Sequence, residues 1–574
     1  MNINERENIT MNNFKLHNEA KIIFNNKIYL YKEIRRQMDI YQSALSGIGS
    51  AAVMVDRSVE LLILLMAMLE SGITFLPIDH SNAVNRTNYM LQDSQMEVVI
   101  TNEKYYDTLE YPNKIIFEHL KEGKLPEPSG GSDSIAYILY TSGSTGIPKG
   151  IMVSWSALEN FMEGVSEVVP LSPGKKIACL TTVSFDIFLL ESVVALCKGL
   201  TVILANEEEQ KSPRHMVRLI KREKAEILQM TPSRLQLLFH ADDTLDFLKN
   251  IQIIMLGGEQ LPLEMLQRLQ RNSKVEIYNM YGPTETTIWS SIAYLTKSKS
   301  VHIGLPIKNT DIYILDENHH IVLDGTVGEI AISGQGLSLG YVNLETETKE
   351  KFIFLPEANK KVYLTGDLGS ISKDHFLHYV GRVDNQIKLR GYRIELEEIE
   401  TVLNGFDTIE QAVVTVEEGK QANRLIAFYV AQKDVDRQQL TDWLKSRLPD
   451  YMLPACYIRI TQFPLTLNGK IDRKQLRVND LLPQTNEPDL LVEENSEVAS
   501  KVISLISEMT NVKNNSITCK TTLTELGIDS ITFIKLIVNL EEMFGFEFND
   551  QMLLFTAFPN IQTMIDYVEE NIAL

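Results

Sequence analysis

Residues 141–150 read T-S-G-S-T-G-I-P-K-G. Gly143, Gly146 and Gly150 permit close backbone approach to an anion, Thr141, Ser142, Ser144 and Thr145 supply hydroxyl donors, and Lys149 adds positive charge. Exposed backbone N–H groups in such a loop can wrap phosphate oxygens. Ile147 and Pro148 separate Gly146 from Lys149, so the spacing departs from G-x-x-x-x-G-K-[ST] and the loop is not that of the common kinases and GTPases. Apolar runs at 135–140 and 151–153 predict strand, glycine loop, strand. That is where phosphate sites are built, whereas an isolated Gly/Ser/Thr stretch is usually a surface turn.

Five further segments carry chemistry-bearing side chains: N-M-Y-G-P-T-E at 279–285, Y-L-T-G-D-L at 363–368, G-R-V-D at 381–384, L-N-G-K-I-D-R at 467–473 and L-G-I-D-S-I at 526–531. Each alone has an ordinary reading: a Gly-Pro turn, a turn aspartate, a surface arginine, a lysine in an Asn-Gly turn, and an N-cap. Together and in this order they resemble the adenylate-forming superfamily, specifically the adenylation domains of nonribosomal peptide synthetases, followed by a peptidyl carrier domain. The resemblance covers nearly the whole chain after the first dozen or so residues.

Such an enzyme lets a carboxylate attack the α-phosphorus of ATP while pyrophosphate leaves, so spreading negative charge must be met by positioned cations and donors. The resemblance implies that Thr141, Ser142, Gly143, Ser144, Thr145, Gly146 and Lys149 hold the phosphates. Asn279 would bond the exocyclic amine of adenine and Tyr281 would stack on the base, with Gly282 and Thr284 in the same nucleotide-binding stretch. Glu285 would help hold Mg²⁺, Asp367 would accept from the ribose hydroxyls, and Arg382 would bracket sugar or phosphate. Lys470 would bridge the substrate carboxylate and the α-phosphate, making Lys470, Glu285 and Thr141 the catalytic set. Asp384 would be the hinge about which a small C-terminal subdomain swings, withdrawing Lys470 and bringing Gly391, Tyr392 and Arg393 toward the site. Ser530 would receive 4′-phosphopantetheine, its phosphodiester favoured at a helix N-terminus. Ile528, where a second glycine is frequent, departs from that pattern.

Asp186, in S-F-D-I-F at 184–188, matches the aspartate that pairs with a substrate α-ammonium in this family. An α-amino acid is therefore expected. By the same alignment the pocket is completed by Ile187, Leu190, Gln229, Met255, Gly257, Met280, Ile288 and Trp289. These carry no charge and include bulky Trp289, Met280 and Met255, so the cavity is expected to be short, with glycine the first choice and alanine second. The alternatives are another amino acid, a stand-alone acyl-CoA or aryl acid ligase, and a noncatalytic carrier scaffold. Asp186 and the fused carrier oppose the ligase, and joint retention of Lys149, Glu285, Asp367, Arg382 and Lys470 opposes the scaffold. Residues 319–325, H-H-I-V-L-D-G, spell the H-H-x-x-x-D-G motif of condensation domains. Their place between the adenine and ribose segments, flanked by strand patterns, makes them a hairpin loop.

The elements that must position these groups follow from periodicity. Short apolar runs at 98–100, 176–180, 201–204, 251–256 and 275–278 alternate with helical patterns, predicting α/β layers with buried strands. Tighter spacing at 312–315, 321–323, 329–333 and 361–364 predicts a β-rich subdomain. The expected organisation is a large adenylation subdomain at 1–384, a mobile α+β subdomain at 385–478, a linker at 479–495 and an all-α four-helix carrier at 496–574. The last carries eleven acids against four lysines. A length of 574 residues with 44% apolar content fills several cores. The formal charge of −21 disfavours nucleic acid as a partner. The apolar stretch 61–69 is too short to span a bilayer. No signal-peptide pattern opens the chain, and the four cysteines lack metal or disulfide spacing, which suits a cytoplasmic, monomeric enzyme. The expected partners are an amino acid, a phosphopantetheinyl transferase, a downstream condensation or tailoring enzyme acting in trans, and an MbtH-like helper.

Overall fold

A computed structural model describes residues 14–121, 135–143, 147–242, 244–271, 274–384, 386–389, 392–417, 424–431, 433, 435–464, 471–476, 497–510, 517, 521–523, 526, 528, 530–546, 548, 552, 558 and 560–572. They fall into two compact units, one running to Glu395 and the other starting at Leu396.

In the first unit the apolar runs become strands, because a continuous apolar run is buried when both faces of its sheet are covered. Among the described residues one sheet has seven strands, in the order Gly340–Tyr341, Lys149–Ser154, Ile135–Thr141, Thr74–Pro77, Ser50–Met54, Val98–Thr101 and Lys114–Ile116. A nine-stranded sheet contains the parallel neighbours Lys176–Cys179, Ile227–Met230, Ile253–Gly257 and Glu276–Tyr281. Helix Val59–Glu70 is apolar on nearly every side and buried along its length, as the sequence requires of a helix with no polar face. Its N-terminus is closed by the Ser58 side chain, which accepts from the Leu61 N–H at 3.1 Å.

The β-rich region forms a five-stranded sheet around the long strand Lys360–Ile371, which pairs with Gly328–Gly334, Phe352–Leu355 and Leu377–Arg382. One expected strand is not formed. Residues 321–323 make only an isolated bridge from Ile321 to Leu315, Leu323 is 85% exposed, and only Val322 packs against the core of this sheet, so the triplet does not extend it. The H-H-I-V-L-D-G segment lies in the connection between the antiparallel strands Thr310–Leu315 and Gly328–Gly334, where His319 takes a positive φ of 62° and its N–H donates to the Asp316 carbonyl. It is a turn, as its flanks predict. The unit also holds a short hairpin, Ile387–Leu389 with Tyr392–Ile394.

In the second unit helix Leu396–Asn404 packs on a three-stranded sheet of Ile409–Glu417, Arg424–Ala431 and Cys456–Arg459. Further along, helices Glu497–Thr510, Ser530–Phe544 and Ile561–Ile572 close around Val502, Ile506, Phe533, Leu536, Ile561 and Val568. The expected helical spacing of apolar residues is what makes that core. The linker at 479–495 lies outside the described residues.

Candidate active site

The glycine loop joins two antiparallel strands, with Thr141 in register with Lys149. A Cβ on Gly143 would stand 2.1 Å from the Ile147 carbonyl oxygen, so only glycine lets the loop close on itself. Ser142 is buried and its Oγ donates to the Arg393 carbonyl at 2.7 Å. Ser144, Thr145 and Gly146 lie outside the described residues, as does Lys470.

Strand Glu276–Tyr281 delivers Asn279 and Tyr281, two residues apart and so on one face. The Asn279 amide N–H donates to the His302 carbonyl at 2.9 Å, which leaves Oδ1 as an acceptor for an amine. The Tyr281 hydroxyl donates to Asp367 at 2.7 Å. Asp367 and Arg382 face each other across the pairing of Lys360–Ile371 with Leu377–Arg382, and the guanidinium bonds the carboxylate. Arg382 is fixed in turn by Asp384, at 2.7 Å from Nε and 2.8 Å from Nη2. The buried Asp367 carboxylate has thus two engaged lone pairs and others left for paired hydroxyl donors. Motifs separated by more than eighty residues form one chain of contacts, Tyr281 to Asp367 to Arg382 to Asp384.

Glu285 follows in the short 3₁₀ turn Thr284–Thr286 and is 1% exposed. Arg393 Nη1 donates to both its carboxylate oxygens, at 3.0 and 2.8 Å, and the Tyr341 hydroxyl donates to Oε1 at 3.0 Å. Burial pushes the Glu285 carboxyl up, but the Arg393 charge together with hydrogen bonds from its own backbone N–H, Tyr363 and Arg393 holds the group below the ordinary carboxylate value. Tyr392 meets Phe185 edge to face at 4.9 Å. Tyr392 and Arg393 thus lie beside Glu285 and Phe185, while Gly391 lies outside the described residues. Lys388 does not figure in the sequence reading, yet its Nζ lies 5.7 Å from the Tyr281 ring centre. A lone lysine in a hairpin carries no spacing signal, so only the fold finds it.

The pocket residues come together in one cluster. Register pairs Gln229 with Met255 and Gly257 with Met280, placing all four on one face of the parallel sheet, and Ile187, Leu190, Ile288 and Trp289 belong to the same core. Gly257 is indispensable to the arrangement, since a Cβ there would come 2.6 Å from the Trp289 ring and 2.7 Å from the Met280 carbonyl oxygen. The Trp289 ring therefore closes the space beside the strand. Asp186 begins the helical segment that carries Ile187 and Leu190. Burial pushes its carboxyl up to about 6. Hydrogen bonds from the Thr284 hydroxyl and the Ile187 N–H pull it down, the Glu285 charge pushes it up, and Lys388 pulls it down. The Thr284 hydroxyl thus stands on Asp186.

Two features of this pocket lie beyond the reach of sequence patterns. Thr287 and Ile288 both take positive φ, 66° and 63°, a conformation β-branched residues avoid at a cost of about 1–3 kcal/mol each. The bond from the Thr287 hydroxyl to the Gly336 carbonyl at 2.8 Å helps to hold them there. Glu191, fully buried in a π-helical turn, accepts from the Leu180 and Thr181 N–H groups at 2.8 and 2.9 Å and so ties the pocket helix to the end of strand Lys176–Cys179. Elsewhere in the unit, Asp56, His80 and Glu207 converge, but the Lys104 ammonium already sits 2.7 Å from Asp56, which makes them part of an ion-pair network.

The AMP-binding enzyme family model matches residues 14–342, more than half of the chain. The chain belongs to the AMP-binding enzyme family. The AMP-binding C-terminal domain matches residues 398–470, and the phosphopantetheine attachment site matches residues 500–568. This AMP-binding enzyme is an adenylation unit joined to a carrier domain, with ATP and 4′-phosphopantetheine as its cofactors. Its relatives are nonribosomal peptide synthetases. A dimodular nonribosomal peptide synthase of Bacillus subtilis is 37% identical over 480 residues, covering 79% of this chain and 20% of the relative. Tyrocidine synthase 2 of Brevibacillus parabrevis is 31% identical over 569 residues, covering 96% of this chain and 16% of the relative. The chain thus spans a fifth or less of the length of either protein. A four-domain holo nonribosomal peptide synthetase bound to AMP and glycine matches with a TM-score of 0.59 at 26% identity, covering all of this chain and 43% of that one. A holo protein of adenylation and carrier domains bound to a vinylsulfonamide inhibitor matches in fold with a TM-score of 0.80 at 22% identity, covering 98% and 96%. In this AMP-binding enzyme Ser530 is the first residue of helix Ser530–Phe544, within the stretch that matches the phosphopantetheine attachment site.

Proposed function

We propose that this AMP-binding enzyme is a loading module that adenylates glycine, with alanine second, releases pyrophosphate, and passes the aminoacyl group to the thiol of phosphopantetheine on Ser530. The observation that carries the reading is a buried carboxylate, Asp186, at the start of the segment that carries Ile187 and Leu190 into a largely apolar cluster where the Trp289 ring packs against Gly257. An α-ammonium is the natural partner of that carboxylate, and little room remains for a side chain. The solved relative that binds AMP and glycine supports the same choice.

In this reading the uncharged amine of adenine meets Asn279, the ribose hydroxyls meet Asp367, and Arg382 stays locked between Asp367 and Asp384. The loop at 141–149 holds the phosphates and Lys470 brings a mobile cation to the α-phosphate. Mg²⁺, when bound, neutralises the leaving pyrophosphate, and Glu285 is the carboxylate proposed to help hold it. The domain division follows as 1–384, 385–478 and 496–574 around a linker at 479–495, supported by family matches that each fall inside those limits. The proposed partners are a phosphopantetheinyl transferase, a condensation or tailoring enzyme that takes the thioester, and an MbtH-like helper for a cytoplasmic monomer.

One observation favours a second substrate. Both amide atoms of Gln229 are buried without a hydrogen-bond partner, and such a group costs about 1–3 kcal/mol unless a ligand or water meets it. An amino acid with a short hydrogen-bonding side chain would do so. Pyrophosphate exchange across the twenty amino acids separates the readings: glycine leading supports the first, serine or another small polar residue leading supports the second, and a large or charged leader rejects both. Mass spectrometry after treatment with transferase, ATP and glycine tests the loading step, which requires a gain of cofactor plus glycyl and not cofactor alone.

A further inference from the structure

Asp186 stands in the middle of a chain excursion that leaves the end of strand Lys176–Cys179 and turns into the pocket helix, five residues from Thr181 on one side and five from Glu191 on the other. One side chain joins the two ends. Glu191 Oε2 accepts from the Leu180 and Thr181 N–H groups at 2.8 and 2.9 Å, and its Oε1 accepts from the Thr181 hydroxyl at 2.6 Å. The stretch it grips is held from the opposite side as well. Arg57 donates to the carbonyls of Cys179, Thr181 and Ala205 at 2.7, 2.7 and 2.6 Å, and its guanidinium lies 5.7 Å from the ring centre of Phe188 on the pocket helix. Residues 179–181 are thus fixed through their carbonyls by Arg57 and through their N–H groups by Glu191. Glu191 sits in the π-helical turn Leu190–Val194, which re-aims side chains within a helix and is a distortion frequent at functional sites. It is fully buried, and a buried carboxylate is costly where an apolar side chain could fill the same space. Three converging donors give the reason for it, because an acceptor with two oxygens can meet them all.

We infer that Glu191 is a positioning residue for the amino-acid site: by closing the loop between Thr181 and the pocket helix it holds the Asp186 carboxylate where the substrate α-ammonium is met. The inference rests on the proposed role of Asp186. A loop that is already closed has its ordering cost met before the substrate arrives, whereas an open one must be ordered at the moment of binding. That cost falls on the amino acid, which meets Asp186, and not on ATP.

The test is pyrophosphate exchange by the full chain, with whichever of the twenty amino acids exchanges fastest as the probe. Glu191→Ala should raise the KM for that amino acid by at least about fivefold and leave the KM for ATP within about twofold. A lower rate with both KM values unchanged is what a loss of folded protein alone would give, and it overturns the inference. Glu191→Gln is the conservative control: its carbonyl accepts from both N–H groups and its amide donates to the Thr181 oxygen once that hydroxyl turns, so the amino-acid KM should return to within about twofold of wild type. Glu191→Gln as defective as Glu191→Ala overturns the closure. Adding Glu191→Ala to Asp186→Asn should raise the KM no further than Asp186→Asn does alone, because a residue that acts through Asp186 then has nothing to act on. Multiplying effects in the double variant overturn the inference. Should Glu191→Ala not fold, Thr181→Val removes the Oγ bond alone and should raise the amino-acid KM about two- to threefold, an unchanged value overturning the inference. A wild-type KM in Asp186→Asn overturns the proposed role of that carboxylate, whereas a raised KM there with an unchanged KM in Glu191→Ala overturns the positioning alone.

Discussion

Asp186 shows how burial turns a common side chain into a selective one. Its carboxyl, lifted to about 6, must be ionised to pair with an ammonium. The sign follows from that. Above about pH 6 the carboxylate is available and amino-acid binding is at its strongest, whereas falling pH protonates Asp186 and weakens binding through that value. The KM for the amino acid should therefore rise steeply below pH 6 while the KM for ATP changes less, which initial rates across pH 5 to 8 would show. Asp186→Asn removes one charge-assisted bond, worth about 1.5–3 kcal/mol, and should raise the amino-acid KM by about 10- to 150-fold and flatten that pH dependence. Asp367 illustrates the opposite risk. It is deeply buried and depends on Arg382, so Arg382→Ala leaves a carboxylate without its cation and should cost about 3–5 kcal/mol in urea unfolding. A loss below about 1 kcal/mol would mean the pair contributes little beyond its hydrogen bonds.

Among elements, the strand Ile253–Gly257 sets the depth of the proposed amino-acid pocket. The contact of Gly257 with Trp289 leaves no space for a methyl, so Gly257→Ala should destabilise the first unit by about 1–3 kcal/mol and lower activity toward any amino acid. Trp289→Leu works in the other direction: removing the ring should open the pocket, raise exchange with larger apolar amino acids, and leave the ATP KM within about twofold. Pyrophosphate exchange with alanine, valine and leucine measures both variants. The elements themselves were largely readable. Apolar runs at 98–100, 201–204 and 275–278 became strands because a buried parallel sheet imposes that composition on a sequence, whereas of 321–323 only Val322 finds a core to pack against and the segment stays a turn.

For the molecule as a whole, the proposed reaction divides its chemistry between Lys470 and Ser530, distant parts of one chain. Lys470→Ala should reduce pyrophosphate exchange by at least about a hundredfold with nucleotide affinity nearly unchanged, since a residue acting on developing charge affects the transition state and not the ground state. Ser530→Ala should leave exchange at wild-type rates and abolish loading by mass spectrometry. Equal loss of exchange in both variants would contradict the division. Among the described residues no helix is long and apolar enough to cross a membrane.

Residue types and their order were sufficient to read the family and the buried strands, and to single out Asn279, Tyr281, Asp367 and Arg382, which the fold brings together, because each follows from a local requirement: glycine where backbone must approach, an apolar run where a strand is covered on both faces. Tertiary structure alone decided the rest. That Arg393 and Tyr341 share Glu285, that the Thr284 hydroxyl stands on Asp186, that Gln229 is left without a partner and that Thr287 and Ile288 are held at positive φ all depend on which distant segments meet, and no spacing within a segment encodes a contact made a hundred residues away.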